Sequence, residues 1–141
     1  MRKRLLCVLL SLVLLCTLPL PVLAVDDITI EPGDAEIGIM LTYISAYGYD
    51  LNINSSGLAS CSANMTAYPG TDSVSISMYL QKYDGGWSTV KHWSKSAETN
   101  YAFLSGSYYV MSGYTYRVLV YFYAYEGSAT ESLNHTDSQY Y

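Results

Sequence analysis

Apolar and polar residues alternate with a period of two along most of the chain from residue 47 onward, and no segment shows a convincing helical period. Such alternation is typical of β strands that bury one face, because successive side chains of a strand point to opposite sides. The pattern predicts seven strands, at about residues 47–53, 59–67, 74–80, 87–94, 101–105, 114–125 and 129–136.

Turn-forming residues separate these segments. Residues 54–57 and 68–72 are rich in Asn, Ser, Pro and Gly and end the first two strands, while the short Asp-Gly-Gly at 84–86 predicts a hairpin between the third and fourth. Seven short strands joined in this way predict an all-β fold. The expected architecture is an antiparallel two-sheet sandwich of immunoglobulin-like type.

The sixth predicted strand has the clearest register. Tyr116, six residues after Val110, resembles the tyrosine corner of Greek-key sandwiches, in which a tyrosine hydroxyl bonds back to the preceding crossover. This register turns five side chains toward the core: Tyr116, Val118, Val120, Phe122 and Ala124. It turns six outward: Thr115, Arg117, Leu119, Tyr121, Tyr123 and Tyr125. In the first strand, Tyr47 and Tyr49 are predicted core residues.

The N-terminal region has the pattern of a secretory signal peptide. A basic start at residues 2–4 precedes the apolar residues 5–18, and Val22-Leu-Ala24 provides small residues for cleavage after Ala24. The apolar run is too short, and too soon followed by proline, to indicate stable membrane insertion. We predict a signal peptide at residues 1–24, a flexible acidic lead segment at 25–42, a β domain at 43–141 and a secreted product.

Charge and cysteine content narrow the choice of partners. Residues 25–141 carry four Lys and Arg against twelve Asp and Glu, a formal net charge of −8, which argues against nucleic acid as a partner. Cys61 is the single cysteine of this segment, so no internal disulfide is expected. Its strand position beside Ala59 and Ala63 predicts a buried thiol; an exposed one would favour an intermolecular disulfide.

Several segments together resemble a known family. They are Leu80-Gln-Lys82, Gly86-Trp87, Val90-Lys-His-Trp-Ser-Lys95 and Gly113-Tyr-Thr-Tyr-Arg117. In this order they resemble a family of small secreted all-β proteins of unknown function from Gram-positive, often gut-dwelling, bacteria. The resemblance covers about residues 43–141 and implies a signal peptide followed by one all-β domain. It implies no catalytic residues, because the family has none assigned.

The residues that commonly carry out catalysis are sparse. His92 and His135 lie far apart in the sequence, and with one cysteine they do not make up a metal site. No Gly-x-Ser-x-Gly elbow is present, and the acids fall mainly in turns and in the lead segment. We therefore predict no catalytic residues, no metal and no cofactor, and expect both histidines at surface or edge positions.

The candidate ligand-binding residues are aromatic. All sixteen tyrosines follow residue 42, and alternation places several rings on the polar side of their strands. The predicted binding face consists of Tyr79, Trp87, Trp93, Tyr121, Tyr123 and Tyr125. Trp87 and Trp93 share that face if Lys91 points outward, whereas a bulge would turn Val90 and one tryptophan inward. Exposed rings stack on sugars or anchor proteins, and the alternative is that they stabilise the sheet as cross-strand pairs.

These observations favour a secreted, non-catalytic module that binds a glycan or a protein surface. Two alternatives stay open. One is a small antimicrobial or toxin-like effector, and the other is a structural protein that self-associates through the free edges of its sheets.

Overall fold

The computed structural model describes residues 40–141. The predicted signal peptide and most of the lead segment therefore lie outside the described residues. In the described part there are seven strands, and no helix is long and apolar enough to cross a membrane. The strands are β1 (Ile44–Ile53), β2 (Leu58–Ala67), β3 (Ser73–Tyr83), β4 (Trp87–Ala97), β5 (Tyr101–Tyr109), β6 (Thr115–Glu126) and β7 (Ala129–Tyr140).

The strands form two antiparallel sheets. One has three strands in the order β1-β2-β5, and the other has four in the order β4-β3-β6-β7. The predicted all-β two-sheet sandwich of seven strands is therefore confirmed, as is the β3–β4 hairpin across residues 84–86. β4 runs on through Ala97, beyond the predicted residue 94, because an edge strand rich in serine and lysine continues the ladder without a hydropathy signal.

The core lies between the two sheets and is built from alternate residues. All five inward residues predicted for β6 are buried, from Tyr116 to Ala124. The inner face of β2 is lined largely by alanine, whereas β3 and β6 contribute larger side chains, so the facing sheets interdigitate. From β2 and β3 the buried residues are Ala59, Cys61, Ala63, Met65, Ala67, Val74, Ile76, Met78 and Leu80.

The tyrosine corner is present as predicted. The Tyr116 hydroxyl donates a hydrogen bond to the carbonyl of Met111 at 2.9 Å and accepts one from the Met111 N–H at 3.1 Å. Tyr116 itself is 2% exposed. These bonds fix the crossover that leads from β5 in one sheet to β6 in the other.

Glu131 of β7 holds the segment that enters β1. Its carboxylate accepts hydrogen bonds from the backbone N–H groups of Thr42, Tyr43 and Ile44, at 2.6, 2.8 and 2.7 Å. Burial raises the pKa of the carboxyl, but the three backbone bonds outweigh burial and hold the pKa below its ordinary value. Thr42, the last residue of the predicted lead segment, is thus tied to the sandwich.

Two further side chains of β7 bind the outer edge of β1. The Asp137 carboxylate accepts from the N–H of Leu51 at 3.2 Å. The Gln139 amide accepts from the N–H of Ile53 at 2.8 Å and donates to its carbonyl at 3.0 Å. Side chains of one sheet therefore take the place of a neighbouring strand along part of β1. We call the contacts of Glu131, Asp137 and Gln139 with the β1 backbone the β1–β7 seam.

The prediction that Tyr47 lies in the core is wrong. Tyr47 is 37% exposed, and Tyr49 is half-buried against the core. Both point inward, but they lie at the rim of the sandwich, where β1 and β7 are joined by side chains and solvent reaches the gap. His135 of β7 stacks on both rings there, with centroid distances of 4.7 Å to Tyr47 and 5.3 Å to Tyr49.

Cys61 is buried, as predicted, and is 2% exposed. Burial, followed by the nearby carboxylate of Asp50, raises the pKa of its thiol to about 12. The thiol is therefore protonated at neutral pH and behaves as a small apolar side chain.

Substitution of Tyr116 by Phe tests the tyrosine corner. We expect the free energy of unfolding to fall by about 1–3 kcal/mol, because the backbone groups of Met111 lose their partner. Urea denaturation followed by circular dichroism measures the change. Tyr114→Phe, in the same loop, is the matched control and should have a much smaller effect. Equal losses in the two variants would contradict a special role for Tyr116.

Substitution of Glu131 by Gln tests the β1–β7 seam through its pH dependence. The folded pKa lies below the ordinary value of 4.5, so the carboxylate stabilises the fold above that pH. That stability is lost as the pH falls through the folded pKa. We expect the variant to melt at a lower temperature near neutral pH and to show a shallower decline in acid. Thermal unfolding over this pH range measures both, with Glu126→Gln, at an exposed carboxylate, as the control. A variant that keeps the steep acid decline would contradict this account.

Candidate binding face

A row of tyrosines projects from the outer face of the four-stranded sheet. Tyr121, Tyr123 and Tyr125 occupy successive outward positions of β6, and we call them the tyrosine row. Neighbouring rings lie 6.4 Å apart between centroids, and their planes are nearly parallel, with angles of 13° and 18°. Each of the three side chains is half-buried, so part of each ring remains open to solvent.

Tyr79 extends the row onto β3 and β4. Its ring meets Tyr121 edge-on, with centroids 6.0 Å apart and an angle of 86°. On its other side, Tyr79 stacks on His92 of β4 at 4.4 Å. The aromatic surface thus crosses three neighbouring strands.

Small hydroxyl and amide side chains flank the tyrosine row. Antiparallel pairing places three serines of β3 on one side and three polar residues of β7 on the other. They are Ser73, Ser75 and Ser77, and Thr130, Ser132 and Asn134. Because these side chains are short, they leave the edges of the tyrosine rings accessible and line them with hydrogen-bonding groups.

Arg117 forms the centre of a second group on the same face. Its guanidinium lies over the ring of Trp87, with Cζ 4.1 Å from the ring centroid, and its Nε donates to Oε1 of Gln81 at 2.8 Å. Trp87 in turn contacts Tyr83, at 5.2 Å between centroids. We call Gln81, Tyr83, Trp87 and Arg117 the Arg117 cluster.

A shallow cavity joins the tyrosine row to the Arg117 cluster. Its volume is about 280 Å³, and it is open to solvent. It is lined by Tyr79, Gln81, Thr89, Leu119, Tyr121 and Tyr123. The two groups therefore belong to one continuous surface, which we call the aromatic face.

The prediction that Trp93 belongs to this surface is wrong. The β3–β4 register shifts by one residue, so that Leu80 pairs with Lys91 while Gln81 pairs with Thr89. Val90 is the extra residue of this β-bulge, and a bulge reverses the facing of every residue beyond it. Trp93 consequently packs against the core and lies over Gly106 of β5, where a Cβ atom would collide with its indole.

The aromatic face differs in charge from the rest of the chain. The outward positions of β3, β4, β6 and β7 carry no Asp or Glu, although the chain has twelve acids. Arg117 is the one Lys or Arg among these outward positions.

The hydroxyl of Tyr123 has a pKa above its ordinary value. Burial is the largest cause, and the neighbouring Tyr121, Tyr125 and Tyr79 add smaller contributions. This hydroxyl is therefore a neutral donor and acceptor at physiological pH.

Five of the six predicted site residues lie on the aromatic face: Tyr79, Trp87, Tyr121, Tyr123 and Tyr125. Sequence reasoning did not assign Gln81, Tyr83 and His92 to it. Extending the alternation of β3 by two steps would have found Gln81 and Tyr83. In residues 40–141, no three His, Cys, Asp or Glu side chains gather in a way that would hold a metal ion.

Fold and surface together define a small two-sheet β sandwich with an aromatic outer face. The chain belongs to a family of unknown function, DUF6147, whose model matches residues 24–139. The resemblance to an uncharacterised family is thereby confirmed. None of the curated proteins matches the chain.

The two tryptophans provide a test of the bulged register. Trp93→Phe leaves Trp87 as the single indole, and Trp87→Phe leaves Trp93. Because Trp87 is 38% exposed whereas Trp93 packs against the core, we expect acrylamide to quench the fluorescence of Trp93→Phe more strongly. Stern–Volmer slopes of the two folded variants measure the difference. Stronger quenching of Trp87→Phe would mean that Trp93 faces solvent and that the register is unbulged.

Proposed function

We propose that this protein is a secreted, non-catalytic module that binds a glycan with its aromatic face. The observation that carries the proposal is the tyrosine row, whose nearly parallel rings lie between two lines of short polar side chains. A pyranose ring has an apolar face of C–H groups and a rim of hydroxyls. The tyrosine rings can stack on the apolar face of the sugar, and the flanking Ser, Thr and Asn side chains can form hydrogen bonds with its hydroxyls.

The arrangement of the rings supports binding over a purely structural role. Cross-strand aromatic pairs stabilise a sheet because directly opposite side chains lie about 4.5–5.5 Å apart. Tyr121 also meets Tyr79 of β3 diagonally, at 6.0 Å, but the residues directly opposite the tyrosine row are short polar ones, and neighbouring rings of the row lie 6.4 Å apart. That spacing is near the outer limit of about 7 Å for favourable ring pairs. The sheet thus gains little from having three tyrosines at these positions.

The polarity of the aromatic face favours a glycan over a protein partner. Protein interfaces usually have a desolvated apolar centre that excludes water from a few anchor residues. Here Leu119 is the single aliphatic side chain among the outward strand positions, and serine and threonine are frequent. Hydroxyl groups of a sugar can replace the water on such a surface with equivalent hydrogen bonds.

Three further features support the remaining parts of the proposal. The basic start, apolar run and small residues before the predicted cleavage site in residues 1–24 support secretion. The tyrosine corner and the β3–β6 pairing support placing the sandwich among immunoglobulin-like folds. The aromatic face supplies rings, donors and acceptors, while glycoside cleavage needs two carboxylates on either side of the bond. Binding without catalysis fits this set of groups.

Tyr123→Ala tests the proposal. Affinity electrophoresis of the secreted chain in gels containing neutral and acidic polysaccharides should show retardation by at least one of them. We expect the substitution to weaken that binding about tenfold, the equivalent of about 1.4 kcal/mol for one lost stacking contact. Tyr101→Ala, at an exposed tyrosine of the other sheet, is the matched control and should bind like the unsubstituted protein. The proposal is overturned if no polysaccharide retards the protein or if the two variants weaken binding equally.

A further inference from the structure

Arg117 is a cation without an anionic partner on the aromatic face. Within residues 40–141, the one ion pair with N···O of 4.0 Å or less joins Lys82 to Asp84, at 3.3 Å. Among the seven acids of these described residues, none has a carboxylate at that distance from Arg117. A guanidinium is suited to bidentate pairing with a carboxylate, so Arg117 can pair with an anionic group of a ligand.

The Arg117 side chain is held in one orientation before any ligand binds. Trp87 supports the plane of the guanidinium, and Gln81 accepts the hydrogen bond of Nε at 2.8 Å. Gln81 is itself oriented by its amide, which donates to the hydroxyl of Thr89 at 3.2 Å. No acceptor within residues 40–141 binds the two terminal nitrogens, so their N–H donors can bind another group. Little side-chain entropy remains to be lost when a ligand binds.

The position of Arg117 relative to the tyrosine row sets the size of the ligand. Arg117 and Tyr121 are four residues apart on β6, which corresponds to about 13 Å along a strand. Leu119 and the shallow cavity lie between them, and Gln81 lines the edge of that cavity nearest to Arg117. A short oligosaccharide lying along β6 would reach from the tyrosine row to the guanidinium.

We propose that the ligand is an acidic glycan and that Arg117 pairs with a sugar carboxylate while neighbouring sugar units lie on Tyr79, Tyr121 and Tyr123. This inference rests on the proposed function and adds the substrate class to it. The guanidinium fork matches the geometry of a carboxylate, to which it can donate two parallel hydrogen bonds. Arg117 is then the residue that separates acidic from neutral glycans.

The negative net charge of the chain excludes non-specific attraction as a reason for binding an acidic polysaccharide. With a formal net charge of −8 after removal of residues 1–24, the protein repels a polyanion at long range. Non-specific attraction therefore does not explain tighter binding to an acidic polysaccharide than to its neutral form. The local absence of carboxylates from the outward positions of the sheet leaves Arg117 free to act at short range.

The experiment compares polysaccharides with their carboxyl-reduced products. Polygalacturonate, alginate and hyaluronan are each reduced so that every carboxylate becomes a primary alcohol, and the affinity of the protein for each pair is measured by affinity electrophoresis. We expect at least one acidic polymer to bind about tenfold more tightly than its reduced product. The inference is overturned if every reduced or neutral polymer binds as well as the acidic ones, and the proposed function then stands. The inference and the proposed function are both overturned if the protein binds none of the polysaccharides.

Substitutions of Arg117 test whether this residue causes the preference for acidic polymers over their reduced products. Arg117→Gln should lose the tenfold preference, so that the acidic polymer binds no more tightly than its reduced product. Arg117→Lys keeps the charge but loses the planar fork, so it should recover only part of the preference. Lys95→Gln is the matched control, because it removes one positive charge at a position of β4 that pairs with inward-facing Ile76. Equal losses in Arg117→Gln and Lys95→Gln would overturn the assignment.

Discussion

The register of β6 is the constraint on which the rest of the structure depends. This strand lies between β3 and β7, and its alternate residues build the centre of the core on one side and the tyrosine row with Arg117 on the other. A slip by one residue would exchange the two sets, placing hydroxyls in the core and valines in solvent. The bonds from the Tyr116 hydroxyl to Met111 lock that register at the point where the chain enters the strand.

Residues 40–141 form the sandwich without a disulfide between them, and the β1–β7 seam is one of the contacts that hold the two sheets together. Glu131, Asp137 and Gln139 satisfy backbone groups at the free edge of β1, which would otherwise be left to solvent. Backbone groups of an edge strand are templates for pairing with another chain. The seam therefore joins the two sheets and covers part of an edge at the same time.

Alternation alone predicted the seven strands, the inward residues of β6 and five residues of the aromatic face, while three others, Gln81, Tyr83 and His92, were not assigned to it. It failed at Trp93 because the bulge at Val90 adds one residue without changing the apolar character of the segment. For Tyr47 it gave the direction of the side chain correctly but not whether the opposite sheet would cover it. The contact of Arg117 with Gln81 depends on the pairing of β3 with β6, which no pattern within one strand specifies.

The buried thiol of Cys61 has a consequence for how copies of this protein can associate. A lone exposed cysteine in an oxidising environment tends to become oxidised and to link chains covalently. With its pKa raised to about 12 and its side chain enclosed between the sheets, Cys61 offers almost no thiolate to an oxidant. Folded copies are therefore not expected to link through Cys61, and any association through residues 40–141 would depend on non-covalent contacts.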